Sequence, residues 1–206
     1  MRHISISLKD EVENENDIKN LINDLLINLM KIESYYKISL LGGGYGGKTC
    51  FFDKLQGREF PKKTYATIGI DITSQTITKR GKSYYLTFFD TNGEERFRSI
   101  IYSYIKGSDC VIFIYDATYK ESFNSIDDIY HSVKEYKEIQ LIYLIGNKID
   151  LIENGERERE VSEEEAKNYA HNNGFRFYEM SLKDNIGFDE FLDDFKNEII
   201  KFKPKS

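Results

Sequence analysis

Residues 42–49 read GGGYGGKT, and no other segment limits the fold of this 206-residue chain so strongly. They fit the pattern G-x-x-x-x-G-K-[ST]. A short apolar run, residues 36–41 (YKISLL), leads into the glycines, and residues 48–56 open a helix. The junction therefore requires a strand that turns through glycines into a helix. Phosphate oxygens need several donors at close range, and glycines let backbone N–H groups approach without side-chain obstruction. The helix N-terminus adds its dipole. In this arrangement Lys48 reaches the outer phosphates of a nucleotide and the Thr49 hydroxyl ligates Mg²⁺.

The rest of the chain agrees with such a start. Residues 68–79 and 83–89, separated by Arg80-Gly81, read as an antiparallel hairpin. Residues 110–115 (CVIFIY) and 140–145 (QLIYLI) are almost wholly apolar, as strands buried on both faces are. Helical patterns cover residues 121–137, 162–172 and 188–201, and residues 175–179 form a last strand. This alternation predicts an α/β fold: a mostly parallel six-stranded sheet flanked by helices. Ligands in such sheets bind at the carboxyl ends of the strands, and each motif named here directly follows a strand.

One such motif is Asn147-Lys148-Ile149-Asp150, after the run ending at Ile145. Guanine carries an N1–H and a 2-amino group, and one carboxylate accepts from both. Adenine offers no such pair. Asp150 thus discriminates between the bases, because a site built around a specific hydrogen bond rejects an analogue that leaves its buried group unpaired. GTP is expected over ATP.

With these two motifs the chain resembles the Ras superfamily of small GTPases, and the segments between them look closest to its Rab branch. The resemblance runs from residue 36 to 201 and implies a P-loop NTPase fold, the small G domain, over residues 35–202. It implies that Gly44, Tyr45, Gly46, Gly47, Lys48, Thr49 and Cys50 surround the phosphates of GTP or GDP. Residues 64–77 (TYATIGIDITSQTI) are similar to a Rab switch I, which makes Thr67 the ligand that closes on Mg²⁺ and the γ-phosphate. Residues 90–94 (DTNGE) are similar to switch II, with ERFRSI following as in Rab proteins. Asp90 would hold Mg²⁺ through water, and the Gly93 N–H would sense the γ-phosphate. Phe60 falls where the family sets an aromatic edge against guanine, beside Asn147, Lys148 and Asp150. Ser181, Leu182 and Lys183 match the loop that packs on the base. The implied mechanism is a switch, in which the γ-phosphate orders two loops and hydrolysis releases them. Partners would be effector and regulator proteins that read the ordered surface, with a role in vesicle trafficking.

The sequence departs from the family at several positions. Glu94 replaces the glutamine that, with Lys48 and Thr67, makes up the expected catalytic set. A glutamine amide accepts from the attacking water and donates toward the phosphoryl group. A carboxylate only accepts and adds negative charge, though it can act as a base. The expectation is slow hydrolysis; the alternative is a nucleotide-binding scaffold with little or none. Asn92 stands in place of a small alanine, and Leu182 in place of the alanine against the base. Gly44 is a glycine where bulkier residues obstruct catalysis. The Rab recognition triad falls on Ile72, Phe89 and Tyr104; buried sheet packing is one explanation for the first two.

Composition narrows the alternatives. With 40% hydrophobic and 31% charged residues the chain can build one ordinary core. A net charge of −6 argues against nucleic-acid binding as the main task, which needs a basic face. Cys50 and Cys110 make no disulfide framework or metal cluster, and the three histidines have no ligand spacing. No apolar run reaches the ~18 residues that span a bilayer, so a cytoplasmic protein is expected. Residues 203–206 form a short tail without a prenylatable cysteine, so no direct lipid anchor is visible and peripheral membrane attachment needs a recruiting partner. Residues 1–34 are an extension beyond the family's usual start. In it Ile18, Leu21, Ile22, Leu25, Leu26, Leu29 and Met30 form an amphipathic helical stripe. It can pack on the domain or offer a helix to a partner; its Asn, Asp and Glu disfavour a membrane surface.

Overall fold

The structure, a computed structural model, describes residues 32–61, 69–91, 105–134 and 139–202. The sheet has six strands: β1 (Ile32–Leu41), β2 (Ile70–Lys79), β3 (Lys82–Thr91), β4 (Cys110–Asp116), β5 (Leu141–Asn147) and β6 (Arg176–Glu179). Their order is β2-β3-β1-β4-β5-β6. Only the β2–β3 pair is antiparallel. Among the described residues the helices are α1 (Lys48–Leu55), α2 (Lys120–Val133), α3 (Ile149–Glu153), α4 (Glu163–Asn173) and α5 (Phe188–Ile199). This is the expected α/β architecture.

Strand β4 is the centre of the fold, with all seven residues buried. Cys110, Ile112 and Ile114 face one core with Phe51, Phe52 and Leu55 of α1 and Phe188, Phe191, Phe195 and Ile199 of α5. Val111, Phe113 and Tyr115 face the other, with Phe123 and Ile126 of α2 and Ala166 and Ala170 of α4. An apolar run with no polar alternation is what a strand covered on both sides requires. The α5 residues follow the three- and four-residue spacing of one helix face. Helix α4 starts where the Ser162 hydroxyl accepts from Glu165 N at 3.1 Å, and ends at Gly174 with φ 73°. The hairpin turns through Arg80 and Gly81, with φ of 51° and 75°, the left-handed pair that matches strand twist.

Three details differ from the sequence reading. Strand β1 begins at Ile32, four residues before the apolar run and inside the segment assigned to the extension, because Ile32, Ser34 and Tyr35 pair with Ser83, Tyr84 and Tyr85. Backbone pairing needs no apolar pattern. Helix α3 was not predicted; at five residues it is too short for periodicity to register. Ile72 is 59% exposed, so buried sheet packing does not explain it. It lies on the edge strand β2, opposite Phe89, whose ring carries Lys37 Nζ at 5.0 Å. The predicted N-terminal helix, Thr67, Asn92, Gly93, Glu94, Tyr104 and residues 203–206 lie outside the described residues. No described helix is long and apolar enough to cross a membrane.

Phe191 stacks on Phe195 at 5.8 Å and meets Phe51, Tyr143 and Tyr178 edge-on at 5.7, 5.2 and 5.2 Å. Truncating a buried aromatic costs ~3–5 kcal/mol. Phe191→Ala is expected to lower stability by about that much in urea denaturation. A loss below ~1 kcal/mol would show that α5 does not seal this core.

Candidate functional site

The carboxyl ends of β1, β3, β4, β5 and β6 lie at one end of the sheet, and each delivers part of the site. From β1 comes the glycine loop. A Cβ at Gly46 would lie 2.5 Å from the Ile114 carbonyl oxygen, and one at Gly47 would lie 2.3 Å from Asn147 Nδ2. These glycines are therefore required by packing on β4 and β5, not only by access for phosphate. Gly44 differs: among the described residues nothing lies within 4 Å of its would-be Cβ.

Lys48, the first residue of α1, is buried and donates from Nζ to the carbonyls of Gly42 at 2.9 Å and Gly43 at 2.7 Å. Burial lowers its pKa to about 8, with nearby Asp90 opposing the shift. Asp90, near the end of β3, is fully buried. Its Oδ2 accepts from Thr49 Oγ1 at 2.8 Å, while Oδ1 has no hydrogen-bond partner among the described residues. Burial raises this carboxyl to about 6, against the pull of the Thr49 hydroxyl and of Lys48. A buried carboxylate oxygen without a donor is costly, and beside a hydroxyl it forms a pair of hard oxygen donors. That pair fits Mg²⁺, which takes few protein ligands and keeps water and phosphate oxygens for the rest. No group of three or more His, Cys, Asp or Glu among the described residues is placed to hold a metal.

Asn147, the last residue of β5, ties three loops together. Its Nδ2 donates to the Gly46 carbonyl at 3.0 Å, and its Oδ1 accepts from Leu182 N at 3.3 Å. Lys148 takes a left-handed conformation, φ 68°, and its Nζ donates to Asp116 Oδ2 at 2.7 Å. Asp150 is 3% exposed, with Lys183 Nζ at 3.8 Å. The loop after β6 is fixed by Met180 N donating to the Gly146 carbonyl at 2.8 Å, and by a paired bridge between Ser181 and Ile186. Ser181 Oγ accepts from Asp184 N at 3.0 Å.

Most of the residues predicted from the sequence thus converge. Lys48, Thr49 and Asp90 share one corner, and Asn147, Asp150, Leu182 and Lys183 share the next. Leu182 departs from expectation in detail, since its side chain belongs to the α1–α5 core and its N–H is engaged by Asn147. Cys50 is buried behind the loop, where burial raises its thiol pKa. Phe60 is 44% exposed.

Two contributors were missed. Asp116 is 2% exposed, and its Oδ1 accepts from Thr118 N and Oγ1 at 2.8 and 2.7 Å, so it orients Lys148 from a fixed position. A polar residue ending an otherwise apolar strand was the available signal. Arg159 grips both carboxylate oxygens of Glu179, the Nη2 bond being 3.0 Å, and also donates to the Val161 carbonyl at 3.2 Å. It sits in a run of acidic residues, where an arginine reads as a solvated charge.

Residues 37–201 match a family model described as Ras family. The chain is 38% identical to human Ras-related protein Rab-3A over 152 residues, 73% of this chain and 67% of that one. It is 36% identical to human Ras-related protein Rab-30 over 169 residues, 80% of this chain and 81% of that one. With Ras-related protein Rab-4 of Dictyostelium discoideum it shares 37% identity over 157 residues, 76% and 75% of the two chains.

Replacing Asn147 by alanine strands the Gly46 carbonyl and the Leu182 N–H together. Each unsatisfied buried group costs ~1–3 kcal/mol. Asn147→Ala is expected to lose at least ~1 kcal/mol in chemical denaturation of the nucleotide-free chain. An unchanged midpoint would mean the three loops hold their places without this amide.

Proposed function

The chain belongs to the Ras family, in its Rab-like branch, and on that premise we propose that it is a GTP/GDP switch that hydrolyses GTP slowly. The observation that supports this most is Asn147, one side chain bonded to both the phosphate loop and the base-side loop. A ligand with phosphates at one end and a flat base at the other has its two contact surfaces fixed at one separation.

In this reading the G domain runs from Ile32, where β1 begins, to residue 202, with the residues before it an extension and 203–206 a tail. Backbone N–H groups from Gly44 to Cys50 surround the phosphates, and Lys48 offsets the negative charge that develops there. Thr49, Asp90 and Thr67 would hold Mg²⁺, Asp90 through water, and the ion would screen the phosphate charge. Asp150 accepts from guanine N1–H and the 2-amino group. Lys148, Ser181, Leu182, Lys183 and Phe60 enclose the base. Water attacks the γ-phosphorus, and the bond from that phosphorus to the bridging oxygen breaks. GDP and inorganic phosphate result, with Glu94 orienting the water or accepting its proton. Gly93 and Thr67 release when the γ-phosphate is gone, and effector and regulator proteins read the change. By likeness to the Rab relatives the role lies in vesicle trafficking, with a cytoplasmic chain brought to membranes by a partner.

Glu94 favours a second reading, a scaffold that keeps its nucleotide without useful hydrolysis. Single-turnover GTP hydrolysis with Mg²⁺ separates the two. Slow phosphate release is expected from the native chain and none from Lys48→Ala. Glu94→Gln is expected to release phosphate about tenfold faster, a change of ~1.4 kcal/mol in the barrier. Equal rates for native and Glu94→Gln would reject the carboxylate as the cause of slowness. Tight GTP retention with no release over hours would select the scaffold.

A further inference from the structure

Residues 42–47 are glycine at every position except one, Tyr45. Its φ of 65° lies in the left-handed region, which L side chains disfavour and glycine accepts freely. The loop needs this turn to present its N–H groups inward, so tyrosine occupies a place where glycine is the undemanding choice. Strain of this kind persists when something else offsets it. Packing within the fold does not, because Tyr45 is 85% exposed and has no ring contact or hydrogen bond among the described residues. Among the described residues it is the most exposed large hydrophobic one. Its immediate neighbour, Gly44, is the loop position whose would-be Cβ meets none of the described residues within 4 Å.

An aromatic side chain held in strain, in solvent, on a phosphate loop contributes to a bound state rather than to the fold. We propose that Tyr45 is a screen over the phosphate edge of the nucleotide site, and that its ring governs how fast the nucleotide leaves. The proposal rests on the GTP/GDP reading. The ring covers the Gly44 side of the loop and keeps water from rehydrating the phosphates, so release waits for the ring to swing aside. Because the backbone already holds the left-handed turn, removing the ring leaves the loop's shape to glycine or asparagine, both of which accept that conformation.

The test uses the full chain loaded with N-methylanthraniloyl-GDP and Mg²⁺, chased with excess GDP. Tyr45→Gly and Tyr45→Asn are expected to release the label about tenfold faster than the native chain, and Tyr45→Phe within about twofold of it, as changes in off-rate. Thermal unfolding of both ring-less variants without nucleotide is expected at or above the native temperature, which a merely structural ring would not allow. Unchanged or slower release from both ring-less variants overturns the proposal. So does Tyr45→Phe releasing as fast as Tyr45→Asn, since the ring alone would then do nothing. A native chain that fails to retain the label rejects the GTP/GDP reading itself, whereas retention with no effect of losing the ring rejects this inference alone.

Discussion

The carbonyl oxygen of Ile114 would lie 2.3 Å from a Cβ at Gly42 and 2.5 Å from one at Gly46, and the geometry of the whole site follows from this close approach. Strand β4 is buried on both faces by two aromatic-rich cores, so its carbonyls are fixed in space. The loop that lies on it inherits that rigidity. From the loop, Asn147 carries the same fixed frame to the end of β5 and to the turn after β6. Three loops that are far apart in sequence are thereby referenced to one strand.

The electrostatics of the corner point the same way. Lys48 and Asp90 are both buried, and burial shifts each toward its neutral form, to about 8 and about 6. Their mutual attraction opposes both shifts without cancelling them. Left alone, such a pair is an expensive element to hold in a core. A polyanion beside the lysine and a divalent cation beside the carboxylate each supply the missing counter-charge. In the proposed reading the corner would therefore take two charged guests at once.

How much of this could be read in the sequence depended on how local the signal was. Residues 42–49 and 147–150 carry their chemistry in consecutive positions, and the apolar run of β4 announces a buried strand. Those parts were legible. Asp116 and Arg159 act on residues 32 and 20 positions away, and their partners are chosen by folding, not by spacing. The start of β1 was hidden for a related reason: Ile32 to Tyr35 are held by backbone pairing with β3, which leaves no trace in side-chain pattern. Ile72 was ambiguous because a strand residue's face is visible in sequence while the presence of a cover over that face is not.

The hydroxyl of Tyr36 donates to the carbonyl of Phe202 at 2.7 Å, fastening the chain just after α5 to the amino-terminal half of β1. The glycine loop leaves β1 at its other end, about 17 Å further along at the usual rise per strand residue. Residues 32 and 202 thus sit at the hull of the molecule, and the nucleotide corner sits at its prow. Anything moored to either end of the described chain holds the protein from the stern. The nucleotide corner, at the far end of β1, lies away from that mooring.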